Sequence, residues 1–302
     1  MANVVEQLSN SVTDVAAKVA SAVVGIGPAG SGVVVGPGLV VTTAHNLRGE
    51  EVVVTFADGR RAEGRAAGID VDGDLAAVSV DTADAPVVSV AERAPRLGDF
   101  VVALANPAGR GVRVSLGVIS ALDVPFRGPG GRRVTGAIEH TAPLARGSSG
   151  GPVVDATGAL VGIDTHRVGD GFYLALPADA QLVARVEALG RGEVPHRPRL
   201  GVALAPSQVA RRLRRSVGLP ERDGLLVRAV EEGGPADRAG IRQGDLVVSA
   251  GGTPLLGVDD LAAALEAAGA DATVEIVVVR AADELTLAVD LSGAGTTHRG
   301  SA

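Results

Sequence analysis

Arg146-Gly147-Ser148-Ser149-Gly150-Gly151-Pro152-Val153-Val154 is the stretch whose reading decides how the rest of the chain is understood. A serine hydroxyl is a poor nucleophile at neutral pH. Chemistry through one needs a neighbouring base and backbone N–H groups aimed at the oxyanion that forms. Glycines on both sides of Ser149 allow the backbone conformations that such a loop requires. Pro152 stops a helix from starting, and Val153-Val154 reads as strand.

Taken alone, the segment is open to other readings. Gly147-x-Ser149-x-Gly151 also fits a strand-turn-helix nucleophile elbow, but an elbow needs a helix after the serine and a histidine downstream of it. Here a proline and a β-branched pair follow. A Gly/Ser loop with no chemistry is the remaining alternative.

The 302 residues are enough for two domains, each with its own core. Apolar residues make up 46% of the chain, yet there are only four Phe, one Tyr and no Trp, so the cores must be packed with Val, Leu, Ile and Ala. Forty-two glycines among short Val-rich runs indicate a β-rich, turn-rich protein. A net charge of −7 gives no electrostatic reason to expect nucleic acid. The local cluster Arg211, Arg212, Arg214 and Arg215 is read as a solvated helix face. The absence of cysteine excludes disulfides and thiol catalysis. No run approaches the roughly 18 apolar residues of a membrane span. Met1-Ala2-Asn3-Val4-Val5-Glu6 lacks the basic region and apolar core of a secretory signal. The chain as it stands is therefore expected in the cytoplasm, or outside it if it is a piece of a longer precursor.

Val5, Leu8, Val12, Val15 and Val19 are spaced for one face of an amphipathic helix in an N-terminal segment, 1–21. From Val23 to Leu176 follow about a dozen short strands separated by turns, a pattern that predicts closed barrels. Gly25-Ile26-Gly27-Pro28-Ala29-Gly30 is formally GxGxxG, but strands follow it rather than a helix, so no dinucleotide site is expected. Asp70, Asp72 and Asp74 alternate as in a calcium loop without its glutamate or flanking helices, and no metal or other cofactor is expected. Residues 178–189 read as a helix, 191–198 as a linker and 199–292 as a small α+β domain. The polar tail 293–302 is expected to be disordered.

His45, Asp74 and Ser149 stand in the chain order of the chymotrypsin-type triad. Together with Gly30-Ser31-Gly32, Val41-Thr42-Thr43-Ala44-His45, Asp70-x-x-x-Asp74-Leu75-Ala76, Ala105-Asn106-Pro107 and Leu116-Gly117-x-Ile119-Ser120, the serine loop resembles the HtrA family of serine proteases. The second unit resembles that family's PDZ domain, with Arg199-Leu200-Gly201-Val202 at the carboxylate-binding loop and Gly234-Pro235-Ala236-x-x-Ala239-Gly240-Ile241-x-x-Gly244-Asp245 at its core signature.

The resemblance implies a mainly β fold, with a trypsin-like double six-stranded barrel over 22–190 and a PDZ domain behind it. It implies a serine endopeptidase acting on unfolded or misfolded proteins in quality control. Catalysis would fall to His45, Asp74 and Ser149, with Gly147, Ser148 and Ser149 at the oxyanion hole. Leu144 and Ile163 would wall a pocket for small or medium aliphatic side chains. Peptide C-termini would add as a strand on Val202 to Leu204, with the carboxylate on the Leu200, Gly201 and Val202 amides and the last side chain against Leu261 and Leu265.

Three features depart from the family. Thr141 stands where an Asp is usual, and Ala145-Arg146 where an Asn-Pro pair is usual, which leaves open a weakly active or inactive peptide-binding protein of the same fold. No aromatic residue stands in the N-terminal segment, where aromatics hold the family's trimers.

Overall fold

The computed structural model describes residues 3–129, 131–194 and 197–292. Two compact units divide between Val194 and Pro195. The predicted tail 293–302 and His196 of the predicted linker lie outside the described residues.

Helix α1 (Val4–Val19) opens the first unit, its start fixed by Asn3, whose side chain accepts the Glu6 N–H at 2.9 Å. Only its later turns dock. Val15 and Val19 are buried with the core, whereas Val5 and Leu8 of the expected stripe are exposed. Lys18 ties the helix end to the Thr157 carbonyl at 2.7 Å.

Six strands then close a barrel: β1 (Val23–Ile26), β2 (Gly30–Gly36), β3 (Leu39–Thr42), β4 (Glu51–Thr55), β5 (Arg61–Asp70) and β6 (Leu75–Ser79). Six more close a second: β7 (Phe100–Ala105), β8 (Arg113–Arg127), β9 (Arg133–His140), β10 (Pro152–Val154), β11 (Leu160–Val168) and β12 (Phe172–Pro177). Both circuits run through their strands in the same connectivity: β1-β2-β3-β6-β5-β4 and β7-β8-β9-β12-β11-β10. Closure removes the free edges that short Val-rich strands would otherwise present. Helix α2 (Ala180–Gly190) ends the unit. It starts later than the sequence suggests because Asp179 caps it, accepting the Leu182 N–H at 2.8 Å.

The second unit comprises β13 (Val202–Ala205), α3 (Ser207–Ser216), β14 (Leu225–Val230), α4 (Pro235–Arg238), β15 (Leu246–Ala250), β16 (Thr253–Pro254), α5 (Val258–Ala268), β17 (Thr273–Arg280) and β18 (Asp283–Asp290). Its sheet runs β13-β14-β15-β17-β18, with β16 on β15. The arginines of α3 are not one solvated face. Arg211 and Arg215 pair with Asp223 and Glu221, while Arg214 is buried and donates to the carbonyls of Pro220 and Ala281.

Candidate active site

Strand β3 ends at Thr42, and the tight turn Ala44–Asn46 carries His45 off its end. Asp74 sits in the turn between β5 and β6, fully buried and held at a φ of 49°, a left-handed conformation that Asp tolerates better than most residues. The pairing of β3 with β6 brings the two turns together. His45 Nδ1 lies 2.9 Å from Asp74 Oδ1 and 3.0 Å from Oδ2, and the His45 backbone N–H donates to the same carboxylate at 3.2 Å. That contact leaves Nε2 as the ring nitrogen available for proton transfer.

Each of the three alternating carboxylates has its own partner. Asp70 pairs with Arg185 at 2.8 Å, Asp72 with Arg132 at 3.6 Å and Asp74 with His45.

Ser149 arrives from the second barrel on the loop that precedes β10. The loop is pinned by its backbone. The Ser149 carbonyl accepts from the Ser31 N–H at 3.0 Å and from Asn46 Nδ2 at 2.8 Å, so the neighbour of His45 holds the serine directly. Ser31 Oγ donates to the Gly147 carbonyl at 2.8 Å. Gly147 and Gly150 have φ of 85° and 88°, and a Cβ on either would strike a carbonyl oxygen, that of Ala29 or Ser31. Only glycine fits both the conformation and the space.

The Ser148 N–H is spent on the Ala145 carbonyl at 3.3 Å. The N–H groups of Gly147 and Ser149 donate to no acceptor among the described residues, which leaves two donors available to an oxyanion. Of the three positions expected at the oxyanion hole, Ser148 is thus the one whose amide is already engaged.

The Ser149 hydroxyl donates to the Thr165 carbonyl at 2.9 Å, not to His45. His45 Nε2 lies 3.4 Å from Thr43 Oγ1. The hydroxyl must therefore turn about its Cα–Cβ bond to meet the imidazole, a rearrangement consistent with the looser contacts of substrate-free sites. Thr165 links the groups, because its hydroxyl makes a short hydrogen bond to Asp74 Oδ2 while its carbonyl holds Ser149.

The sequence reading did not single out Thr165 or its neighbours. His166 Nδ1 lies 3.0 Å from Thr165 Oγ1, and its ring stands edge-on to His45 with centroids 5.8 Å apart. Burial lowers the His166 pKa, Asp74 pulls it back up, and the charge of His45 lowers it further. The legible signal was Asp164-Thr165-His166-Arg167, four polar residues in succession in a strand that begins apolar.

Beside Ser149 lies a pocket of about 250 Å³, lined by residues 144–149, 164–167 and 173. Leu144 is on its wall, whereas Ile163, the second residue expected there, is not. Ile163 is fully buried in the main core with Leu104, Val154 and Leu176, hydrogen-bonded strands flanking it on both sides. The strand bulges between Asp164 and His166, and the pocket begins only at Asp164.

In the second unit, β13 pairs only with β14 among the described residues and so offers an open edge. Val202 and Leu204 lie on this edge strand. Leu261 and Leu265 are buried in the unit's core with Leu200, so they are core residues first. Gly201 has a φ of 74°, its carbonyl accepts from the Glu231 N–H at 2.8 Å, and the Leu200 carbonyl accepts from Ala236 at 2.9 Å. The Leu200 and Gly201 N–H groups find no acceptor among the described residues.

Residues 30–163 match the trypsin-like peptidase domain and residues 226–280 the PDZ domain. The chain is 36% identical over 276 residues to the serine protease HhoA of Synechocystis sp. (strain ATCC 27184 / PCC 6803 / Kazusa), an alignment covering 86% of this chain and 69% of HhoA. It is 33% identical over 264 residues to a DegP-like periplasmic serine endoprotease of Rhizobium meliloti, covering 84% of this chain and 51% of that one, so it spans about half the length of such relatives. Among solved structures, the serine endoprotease from Yersinia pestis superposes with a TM-score of 0.67 at 26% identity, covering 92% of this chain and 96% of the other. The HtrA-type protease AlgW with tripeptide gives 0.63 at 27% identity, with coverage of 92% and 95%. Two barrels, a serine on a glycine loop joined through Thr165 to the carboxylate that holds His45, and a PDZ unit later in the chain agree with these relatives: the chain belongs to the HtrA family of serine proteases and is a serine endopeptidase.

Proposed function

We propose that Ser149 is the nucleophile, His45 the general base and Asp74 the group that orients it, and that the enzyme hydrolyses peptide bonds in unfolded or misfolded chains. Thr165 carries this reading, because the hydroxyl of Ser149 and the carboxylate of Asp74 are both bonded to that one residue.

Once Ser149 Oγ turns to His45, its proton passes to Nε2 as Oγ bonds to the substrate carbonyl carbon. Asp74 keeps Nδ1 protonated and stabilises the imidazolium. The oxyanion is received by the N–H groups of Gly147 and Ser149. Collapse breaks the C–N bond while Nε2 returns its proton to the leaving amine. Water then repeats the sequence on the acyl-enzyme. The two uncommitted N–H groups argue against an inactive peptide-binding protein of this fold.

The PDZ unit binds peptide C-termini as an added strand on β13, with the terminal carboxylate on the free amides of Leu200 and Gly201. The HtrA-type protease AlgW, solved with a tripeptide, supports peptide binding. Two measurements test the reading. Ser149→Ala should stop cleavage of an unfolded protein while leaving the thermal unfolding transition intact, and cleavage that persists would refute it. A free-carboxylate peptide should bind more tightly than its amidated counterpart, and equal binding would remove the PDZ assignment.

A further inference from the structure

The turn that carries Asp74 is held by a helix that belongs to neither barrel. Residues 71–74 connect β5 to β6, where Asp70 pairs with Leu75 across the ladder. Asp70 is buried and caps the turn, its Oδ1 accepting the Gly73 N–H at 2.9 Å. Arg185, 115 residues after Asp70 and on α2, reaches the same turn. Its Nη2 donates to Asp70 Oδ2 at 2.8 Å and to the Gly73 carbonyl at 3.3 Å. Its Nε is buried with no hydrogen-bond partner among the described residues. An arginine that leaves a donor orphaned in order to reach one turn calls for an explanation.

Gly73 is gripped at both of its peptide groups, the N–H by Asp70 and the carbonyl by Arg185. A Cβ at this position would strike both Arg185 Nη2 and Asp70 Oδ2, so the guanidinium lies packed against the turn. The Gly73 carbonyl belongs to the peptide plane that leads into Asp74, and swinging that plane changes the φ of Asp74. That φ is 49°, a left-handed value that a residue other than glycine keeps only where its surroundings over-determine it. The Asp74 N–H, on the other edge of the same plane, reaches the Val71 carbonyl at 3.4 Å, a long bond.

We propose that Arg185 is a positioning residue for the reaction: by bracing Asp70 and the Gly73 carbonyl it fixes the backbone of Asp74, and with it the carboxylate that orients His45. The proposal rests on the reading of Ser149, His45 and Asp74 as the reacting groups.

The brace is anchored at its far end. Leu182, Val186 and Leu189 of α2 are buried in the main core, which fixes the helix from which Arg185 extends. A salt bridge that only docked this helix on the barrel would need Asp70 alone. The bond to the Gly73 carbonyl and the close packing on Gly73 bear instead on the turn itself. At the other end, the Asp74 carboxylate meets the ring and backbone N–H of His45 and the Thr165 hydroxyl at once, so a small shift of its backbone disturbs three contacts together.

The test uses the full chain and one peptide substrate, with kcat and KM measured well below the unfolding transition. Arg185→Met keeps the reach of the side chain and removes its donors. It should lower kcat about ten- to a hundredfold with KM little changed, the scale on which small misplacements of reacting groups act. In an Asp74→Asn background the same substitution should cost nothing further in kcat, because it acts only through that carboxylate. A merely structural residue would slow both backgrounds alike. If Arg185→Met does not fold, Asp70→Asn/Arg185→Met removes the buried charge together with its partner and is put through the same comparison. Wild-type kcat in a folded variant, or an equal loss in both backgrounds, would overturn the proposal. Undiminished kcat in Asp74→Asn alone would instead remove the reading of the site on which it rests.

Discussion

Asp74 is the residue on which the site depends, since it is wholly buried and accepts from the ring and backbone of His45 and from the Thr165 hydroxyl. Asp74→Asn keeps the shape but presents an amide that favours the wrong imidazole tautomer, and kcat should fall about ten-thousandfold. Thr165→Val removes the hydroxyl and keeps the carbonyl that holds Ser149. The expected loss is about tenfold in kcat with KM little changed.

His166 offers a second readout of the same charges. Its NMR titration should show a pKa below the usual 6.5, lowered further by Asp74→Asn and raised by His45→Ala, because the carboxylate raises it and the neighbouring imidazole lowers it. The linkage has a fixed sign. Between the folded value and 6.5 the unfolded chain binds more protons, so stability falls as the pH drops through that window. Denaturant titrations in which His166→Phe leaves that fall as steep as in wild type would contradict the assignment.

The serine loop shows what the sequence made legible among the elements and what it did not. Glycines at 147 and 150 predicted a loop that only glycine can form, and both hold positive φ against a carbonyl oxygen. Gly147→Ala should therefore displace the loop and cost a hundredfold or more in kcat/KM, with the barrels still folded by circular dichroism. The strands and their closure could be read because Val-rich runs broken by turns have few other solutions. The pocket could not. Its lining depends on a bulge at Asp164/His166 in β11, and a one-residue irregularity shifts which side chains face the cleft without leaving a periodic trace. Ile163 is expected on the wall from the family resemblance alone, and the sequence reading does not single out Asp164, Thr165 or His166. Likewise α3 reads as a solvated Arg helix, yet Arg214 is buried because two carbonyls from distant segments receive it.

Across the chain as a whole, each unit has its own apolar core, with Val, Leu, Ile and Ala doing the work that aromatics do elsewhere. Residues 1–194 expressed alone should hydrolyse short peptides at a rate within a fewfold of the full chain and show a single cooperative unfolding transition. A fragment that fails to fold would mean that the second unit contributes to the first unit's stability. The central claim is that residues from two separate barrels make one hydroxyl reactive, and a fluorophosphonate probe reads it most directly. Peptide mapping should find the label on Ser149 in the wild type and on no residue in Ser149→Ala or His45→Ala. Label on another serine, or undiminished labelling of Ser149 when His45 is absent, would contradict it.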